Sequence, residues 1–322
     1  MTWNFEERTE SRFFLFFTKV LDIMQILSFW QQGYLLFYLI KRSIGSCCCL
    51  EICEWGVEFV NYETLQWEAA DRVGILTLNR PEKLNSFNLR MFEEIKEVLS
   101  RAENDATTRA IVIKGSGTSF SAGGDMEFLK YLQGIEPDNS LEHTITDILE
   151  LGNRLYNLEI PTVVAVRGYC LGVGLSFALL GDIRLASDNA VFGAEFLAMG
   201  IIPDMGLMYT LPRLVGLARA RELILTCRRI KAAEAERIGM INTIVSDEQL
   251  EEKAFSTAKQ IGELPPRAIK MTRQGLNQSF AGELTEMLRY ESRAQAVCLK
   301  AEEHREAVSA FLAKRKPDFK GK

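Results

Sequence analysis

The stretch from Pro161 to Gly206, PTVVAVRGYCLGVGLSFALLGDIRLASDNAVFGAEFLAMGIIPDMG, constrains this chain more than any other. Val163 to Val166 is a short run rich in β-branched residues, bounded by Pro161 and Gly168, and it predicts a buried strand. Gly168, Gly172 and Gly174 crowd the turn that follows, where glycine permits positive φ and close approach to the backbone. Val173 to Leu180 is almost wholly apolar and predicts a core helix that starts at this turn. The N-terminus of such a helix presents free N–H groups and a partial positive charge, which suits a developing anion. A tight strand-to-helix turn without chemistry explains the segment as well, because a lone glycine cluster is a weak signal.

A second stretch repeats the arrangement. Ala110 to Lys114 reads as a strand and runs into GSGTSFSAGGDMEFL, with a glycine-rich turn at Ala122–Asp125 before a helix. Two strand–turn–helix units, each offering a free N–H at its turn, can together make a two-donor oxyanion hole.

The chain has 322 residues and a formal charge of −5, which suits one large or two smaller domains with ample material for a core. Mild acidity gives no reason to expect a nucleic-acid partner. Two histidines, and no Cys/His cluster at ligand spacing, argue against a metal site. Residues 1–56 differ from the rest. Ile23 to Ile40 carries no charge and is followed by Lys41 and Arg42, so it is just long enough for a membrane segment with a cytoplasmic basic flank. Cys47, Cys48, Cys49 and Cys53 have neither disulfide-framework spacing nor a C-x-x-C pair, and they read as free thiols. An alternative is that translation starts at Val57 and the segment is not normally made; an accessory amphipathic segment is a third reading.

From Leu65 the globular pattern begins. Leu65–Ala70 and Val73–Leu78 form a hairpin around Asp71-Arg72. Arg80-Pro81 breaks the strand. Asn88 caps a helix running to Arg101, with Met91, Phe92, Ile95, Val98 and Leu99 on one face. Tyr131–Ser140 reads as a loop before a helix from about Leu141 to Leu158. After Gly216 the pattern is mostly helical, with Pro265-Pro266 leading into the last three helices. The chain therefore divides into an atypical extension (1–56), an α/β core (57–264) and a C-terminal helical region (265–322).

The motifs resemble those of the crotonase (enoyl-CoA hydratase/isomerase) superfamily. The matching residues are RPEKLNS at Arg80–Ser86, FSAGGDM at Phe120–Met126, Pro161–Asp182, Phe192–Gly216, Leu225–Asn242 and FLAKRKPDF at Phe311–Phe319. The resemblance implies a spiral of ββα units with a C-terminal helical region, and assembly as homotrimers or hexamers. It implies an acyl-CoA thioester substrate, coenzyme A being part of that substrate and no separate cofactor being required. A cytoplasmic enzyme is expected, with membrane contact only through residues 23–40.

By the same resemblance, the oxyanion donors are the amides of Gly124 and Val173. Valine stands where the family usually has glycine; it keeps the N–H, but its Cβ narrows the allowed backbone conformations. Lys83, Leu84, Ala122, Gly124, Asp125 and Met126 fall where the family holds coenzyme A, with Asp125 acting as a helix cap. Phe311 and Lys314 match tail positions that approach it, in some cases from a neighbouring subunit. A packing aromatic and a solvated lysine explain the last two equally.

Acid–base groups separate the reactions of the family. The two glutamates of a typical hydratase fall here at Ser176 and Phe196, which cannot transfer protons as carboxylates do. Glu195 is adjacent to the second position and is a secondary candidate. Asp204, in IIPDMG, lies where several isomerases of the superfamily carry an acidic base, and one carboxylate suffices to move a proton along an allylic system. A helix cap is the plain alternative for Asp204. The leading expectation is an enoyl-CoA isomerase. Open beside it are a 2-enoyl-CoA hydratase, thioester hydrolysis or decarboxylation on the same hole, and a degenerate acyl-CoA-binding paralogue.

Overall fold

Central strands buried on both faces organise the fold. In a computed structural model that describes residues 58–136 and 139–319, seven strands form the main sheet. They are β1 (Glu58–Asn61), β2 (Leu65–Ala70), β3 (Val73–Leu78), β4 (Ala110–Gly115), β5 (Thr162–Val166), β7 (Ile183–Ser187) and β10 (Thr243–Val245), in the order β1-β2-β3-β4-β5-β7-β10. The first three pair antiparallel, and every later pair is parallel. Successive side chains of a strand point to opposite faces. Leu76, Ile113 and Val164 therefore enter one apolar cluster, while Ile75, Val112 and Val163 enter a second. The second face is covered by Leu250, Ala254 and Ala258 of the helix Leu250–Gly262.

A second sheet holds β6 (Tyr169–Leu171), β8 (Val191–Gly193) and β9 (Ile230–Lys231), with β8 parallel to β6 and antiparallel to β9. Single parallel bridges extend this layer, Ser121 to Cys170 and Phe87 to Gly124. After β4, after β5 and after β7, the chain leaves the main sheet and touches the second layer before its next helix. This is the ββα spiral.

The helices follow the sequence pattern closely. Helix α1 (Leu89–Asn104) is capped by Asn88, whose side chain accepts from the Met91 N–H at 2.9 Å. Helix α2 (Met126–Gln133) reaches into the segment expected as a loop, and α3 (Asn139–Tyr156) starts soon after it. Helix α4 (Val173–Leu179) is buried along its whole length. Helices α5 (Leu207–Val215), α6 (Leu217–Thr226) and α7 (Ala232–Arg237) lead to β10. The run after Gly216 is thus not purely helical: β9 and β10 return to the two sheets, and both are too short to show a period.

Helix α8 (Leu250–Gly262) precedes the last three helices, α9 (Pro266–Ser279), α10 (Leu284–Lys300) and α11 (Glu302–Leu312). Arg273 of α9 meets Asp182, just beyond α4, at 2.6 Å, and Asn277 donates to the Tyr156 carbonyl at 2.9 Å. None of the helices among the described residues is long and apolar enough to cross a membrane. The expectations for residues 23–40, for a start at Val57 and for Cys47–Cys53 lie outside the described residues.

Candidate active site

The site begins where the two glycine turns touch. Gly172 has φ 52 and ψ −127, and Gly123 has φ 104, conformations that side chains rarely adopt. A Cβ on Gly123 would lie 3.2 Å from the Leu171 carbonyl oxygen, and one on Gly172 would lie 3.6 Å from the Gly123 Cα. Each expected donor is the residue after one of these touching glycines.

Hydrogen bonding explains why both donor amides are available. Phe87 bridges the first turn by donating to the Gly123 carbonyl and accepting from the Asp125 N–H, both at 2.8 Å. In a parallel bridge of this kind the central residue, Gly124, turns its own N–H to the other side. Val173 is the first residue of α4, behind a Gly172 N-cap that has no side-chain cap, so its N–H is one of the helix's orphan donors. Among the described residues, neither N–H donates to another protein group.

The segments expected to hold coenzyme A are also brought together. Ala122 donates to the Leu84 carbonyl at 2.9 Å, which joins the Arg80–Ser86 loop to the first turn. Lys83 lies 4.0 Å from Glu127, and Leu84 and Met126 are exposed beside it. Asp125 caps α2 through the Glu127 N–H at 2.9 Å and pairs with Arg80 at 2.8 Å. Burial acts to raise its carboxyl, but the Glu127 N–H and the Arg80 guanidinium outweigh that and hold it below the ordinary carboxylate range. Phe311 and Lys314 lie at the exposed end of α11. Among the described residues, no hydrogen bond or ion pair links either one to these segments.

Two further residues, Asn85 and Arg80, hold this loop in shape. Asn85 is fully buried at φ 54 and donates to the carbonyls of Ser116 at 2.8 Å and Ser119 at 2.9 Å, while accepting from the Arg80 N–H. Arg80 donates to the Ser86 carbonyl at 2.7 Å as well as to Asp125. The signal available in the sequence was the asparagine, which tolerates left-handed backbone better than other non-glycine residues.

The carboxylates differ sharply. Ser176 is buried, with its hydroxyl 3.4 Å from the Gly172 carbonyl, and Phe196 is buried too. Both carboxylate oxygens of Glu195 are taken by Arg229, at 2.6 and 3.0 Å. Asp204 lies on the turn before α5. Its backbone carbonyl accepts from the Leu207 N–H at 2.9 Å, but the residue at the N-cap of α5 is Gly206, and no side chain caps that helix. The side-chain cap expected at Asp204 is therefore absent. Its Oδ1 is buried with no hydrogen-bond partner. Burial pushes its carboxyl up to about 6, with its own backbone N–H opposing only part of the rise. On either side of this turn, Met205 packs near Gly152 of α3 and Gly206 sits against Leu180, the residue after α4.

Comparisons with known proteins agree over the whole of this region. The family model described as "Enoyl-CoA hydratase/isomerase" matches residues 68–322. The chain is 36% identical over 254 residues to a short-chain-enoyl-CoA hydratase of Clostridium acetobutylicum, spanning 77% of this chain and 94% of that one. It is 38% identical over 250 residues to the 1,2-epoxyphenylacetyl-CoA isomerase of Escherichia coli K12, with the same coverage. The crystal structure of an enoyl-CoA hydratase/isomerase from Cupriavidus metallidurans CH34 superposes with a TM-score of 0.76 at 32% identity, covering 82% of this chain and 98% of its own.

Proposed function

The chain belongs to the enoyl-CoA hydratase/isomerase family, and from that premise we propose that it shifts the double bond of an enoyl-CoA, with Asp204 carrying the proton. It is an enzyme of the hydratase/isomerase type. The observation that carries the isomerase reading is the Asp204 carboxyl, whose Oδ1 is enclosed without a partner and which is raised to about 6. Such a group is ionised at neutral pH yet basic enough to accept a proton, which is the range in which general bases work best.

With a 3-enoyl-CoA, the Asp204 carboxylate takes a proton from C2. The electron pair moves onto the thioester oxygen, which accepts from the Gly124 and Val173 N–H groups. The protonated Asp204 then returns the proton to C4, leaving the double bond between C2 and C3. A general base contributes ~10²–10⁴-fold, and one oxyanion donor about 10²–10³-fold. Hydration would need carboxylates to position and split a water, and Ser176 and Phe196 occupy those positions as buried, non-acidic groups.

Coenzyme A enters as part of the substrate, along Lys83, Leu84, Ala122, Asp125 and Met126, with no separate cofactor. Exposed apolar side chains on the last helices, Leu284, Phe311 and Leu312, support assembly as a homotrimer or hexamer, and a cytoplasmic location suits the reaction. The discriminating experiment is incubation with 2-enoyl-, 3-enoyl- and 3-hydroxyacyl-CoA thioesters in deuterated water. Interconversion of the two enoyl isomers with deuterium entering at C2 or C4 is expected. Rapid interconversion of 2-enoyl- and 3-hydroxyacyl-CoA without isomerisation would make it a hydratase, and binding with no turnover would make it a degenerate paralogue.

A further inference from the structure

The second sheet ends in a clamp that the proton chemistry does not use. Arg229 immediately precedes β9, so in the β8–β9 register it falls opposite Gly193, the last residue of β8. It grips Glu195 with two charge-assisted hydrogen bonds, at 2.6 and 3.0 Å, and its guanidinium lies 5.5 Å from the centre of the Tyr169 ring on β6. The clamp thus spans all three strands of that sheet. Gly193 lies beneath it. A Cβ there would be 3.3 Å from Arg229 Cγ, 3.3 Å from Glu195 Cγ and 3.0 Å from Leu171 Cδ2, so the stems of both charged residues close on the glycine backbone. The Gly193 carbonyl accepts the Gly172 N–H at 2.9 Å. The next amide along the chain is that of Val173.

We propose that Glu195 and Arg229 form a positioning pair for the oxyanion hole: by fixing Gly193 they fix Gly172, and thereby the direction of the Val173 N–H. The inference rests on the oxyanion-hole reading above. It gives Glu195 a role that needs no proton transfer, and it makes Arg229 matter to turnover although it touches no reacting atom. Magnitudes make the idea testable. Both partners are partly exposed, the Arg229 side chain at 48%, so the pair adds little to global stability. A misdirected donor, in contrast, costs turnover steeply; a displacement of about 1 Å can cost 10²-fold.

The test uses the full chain with Glu195→Gln, Arg229→Met, the double variant and Val173→Pro. Turnover of a 3-enoyl-CoA is measured together with the near-ultraviolet absorbance of bound acetoacetyl-CoA, whose enolate reports on the hole without needing the base. Each single variant is expected to lose roughly 10-fold in kcat, with KM little changed, and to hold less of the probe as enolate. The double variant should be no worse than either single, because the pair acts as one unit. Melting temperatures should stay close to that of the parent. Unchanged kcat and enolate fraction in the two single variants would overturn the proposal. So would a ~10²-fold or larger loss of solvent proton exchange in Glu195→Gln with none in Arg229→Met, since Glu195 would then be the base. Should Arg229→Met fail to fold, the near-isosteric Glu195→Gln still decides. Val173→Pro separates the layers: if it retains the enolate signal, the assignment of the hole itself fails, whereas loss there with no effect at the clamp refutes the clamp alone.

Discussion

Glu195 and Asp204 stand close in sequence, one before the short 3₁₀ turn Leu197–Met199 and one after it, yet they are opposite kinds of carboxylate. Glu195 is partly exposed and has a guanidinium on both oxygens. Asp204 is half-buried as Glu195 is, but its Oδ1 is enclosed without a hydrogen-bond partner and desolvation raises its carboxyl to about 6. The difference is one of surroundings, since residue type would not rank them. A paired carboxylate is a poor base, because taking a proton breaks its ion pair. A desolvated, unpaired one gains from taking a proton. Natural proteins rarely leave a buried polar atom unsatisfied, and where they do a functional reason is the first to seek.

The largest expected effect breaks that comparison at Asp204. Asp204→Asn keeps the size and removes the base, so isomerisation should fall ~10²–10⁴-fold while acyl-CoA binding persists. Stability should move the other way. The raised folded-state pKa means that the folded protein binds this proton more tightly than the unfolded chain does. This contribution is present below the ordinary carboxylate range and is lost as pH rises through about 6, a swing of up to about 3 kcal/mol. The asparagine variant should therefore melt no lower than the parent at neutral pH, with the gap closing in acid. Calorimetry across pH checks this, and a lower melting temperature at neutral pH would point to a structural role for Asp204.

Val173→Pro should come next. Proline is tolerated at the first position of a helix, where the N–H has no intrahelical partner, so the variant deletes a donor with little damage to α4. A loss of about 10²–10³-fold in kcat is expected. Val173→Gly should keep or raise turnover. Wild-type rates in a folded Val173→Pro protein would remove that amide from the site.

A smaller effect is the pH profile of the parent. With Asp204 acting as the base, kcat/KM should fall by about tenfold per unit below pH 6 and level off above it. A rapid-mixing pH series measures this, and a flat profile between pH 5 and 7 would remove Asp204 as the titrating base.

The smallest effects contrast neighbouring glycines. A Cβ on Gly124 meets only Leu129, at 3.8 Å, whereas Gly123 sits at φ 104 with the Leu171 oxygen at 3.2 Å. Gly124→Ala should melt near the parent, and Gly123→Ala should lose roughly 1–3 kcal/mol. Thermal melts compare the two, and equal losses would mean that neither turn geometry nor crowding sets the residue.

Much of this protein was legible in its sequence because the deciding forces are local. Alternation marked β2, short apolar runs marked β3, β4 and β5, and the 3.6-residue pattern marked α1 and the last three helices. Asn88 and Pro266 marked helix starts, and the two glycine turns announced donor amides. Other features were set by partners distant in the chain. The strands β6, β8, β9 and β10 are two or three residues long, too short to carry a period, and they exist because a neighbouring strand satisfies their backbone groups. Likewise, no local pattern says which carboxylate is paired. Glu195 meets Arg229 because β8 and β9 pair, and the turn that carries Asp204 packs near Gly152 of α3 through Met205 and near Leu180 through Gly206. Local pattern was enough for the longer elements, the two glycine turns and the candidate residues. Only the tertiary structure decided which carboxylate is left without a partner, because desolvation and ion pairing depend on residues far apart in the chain.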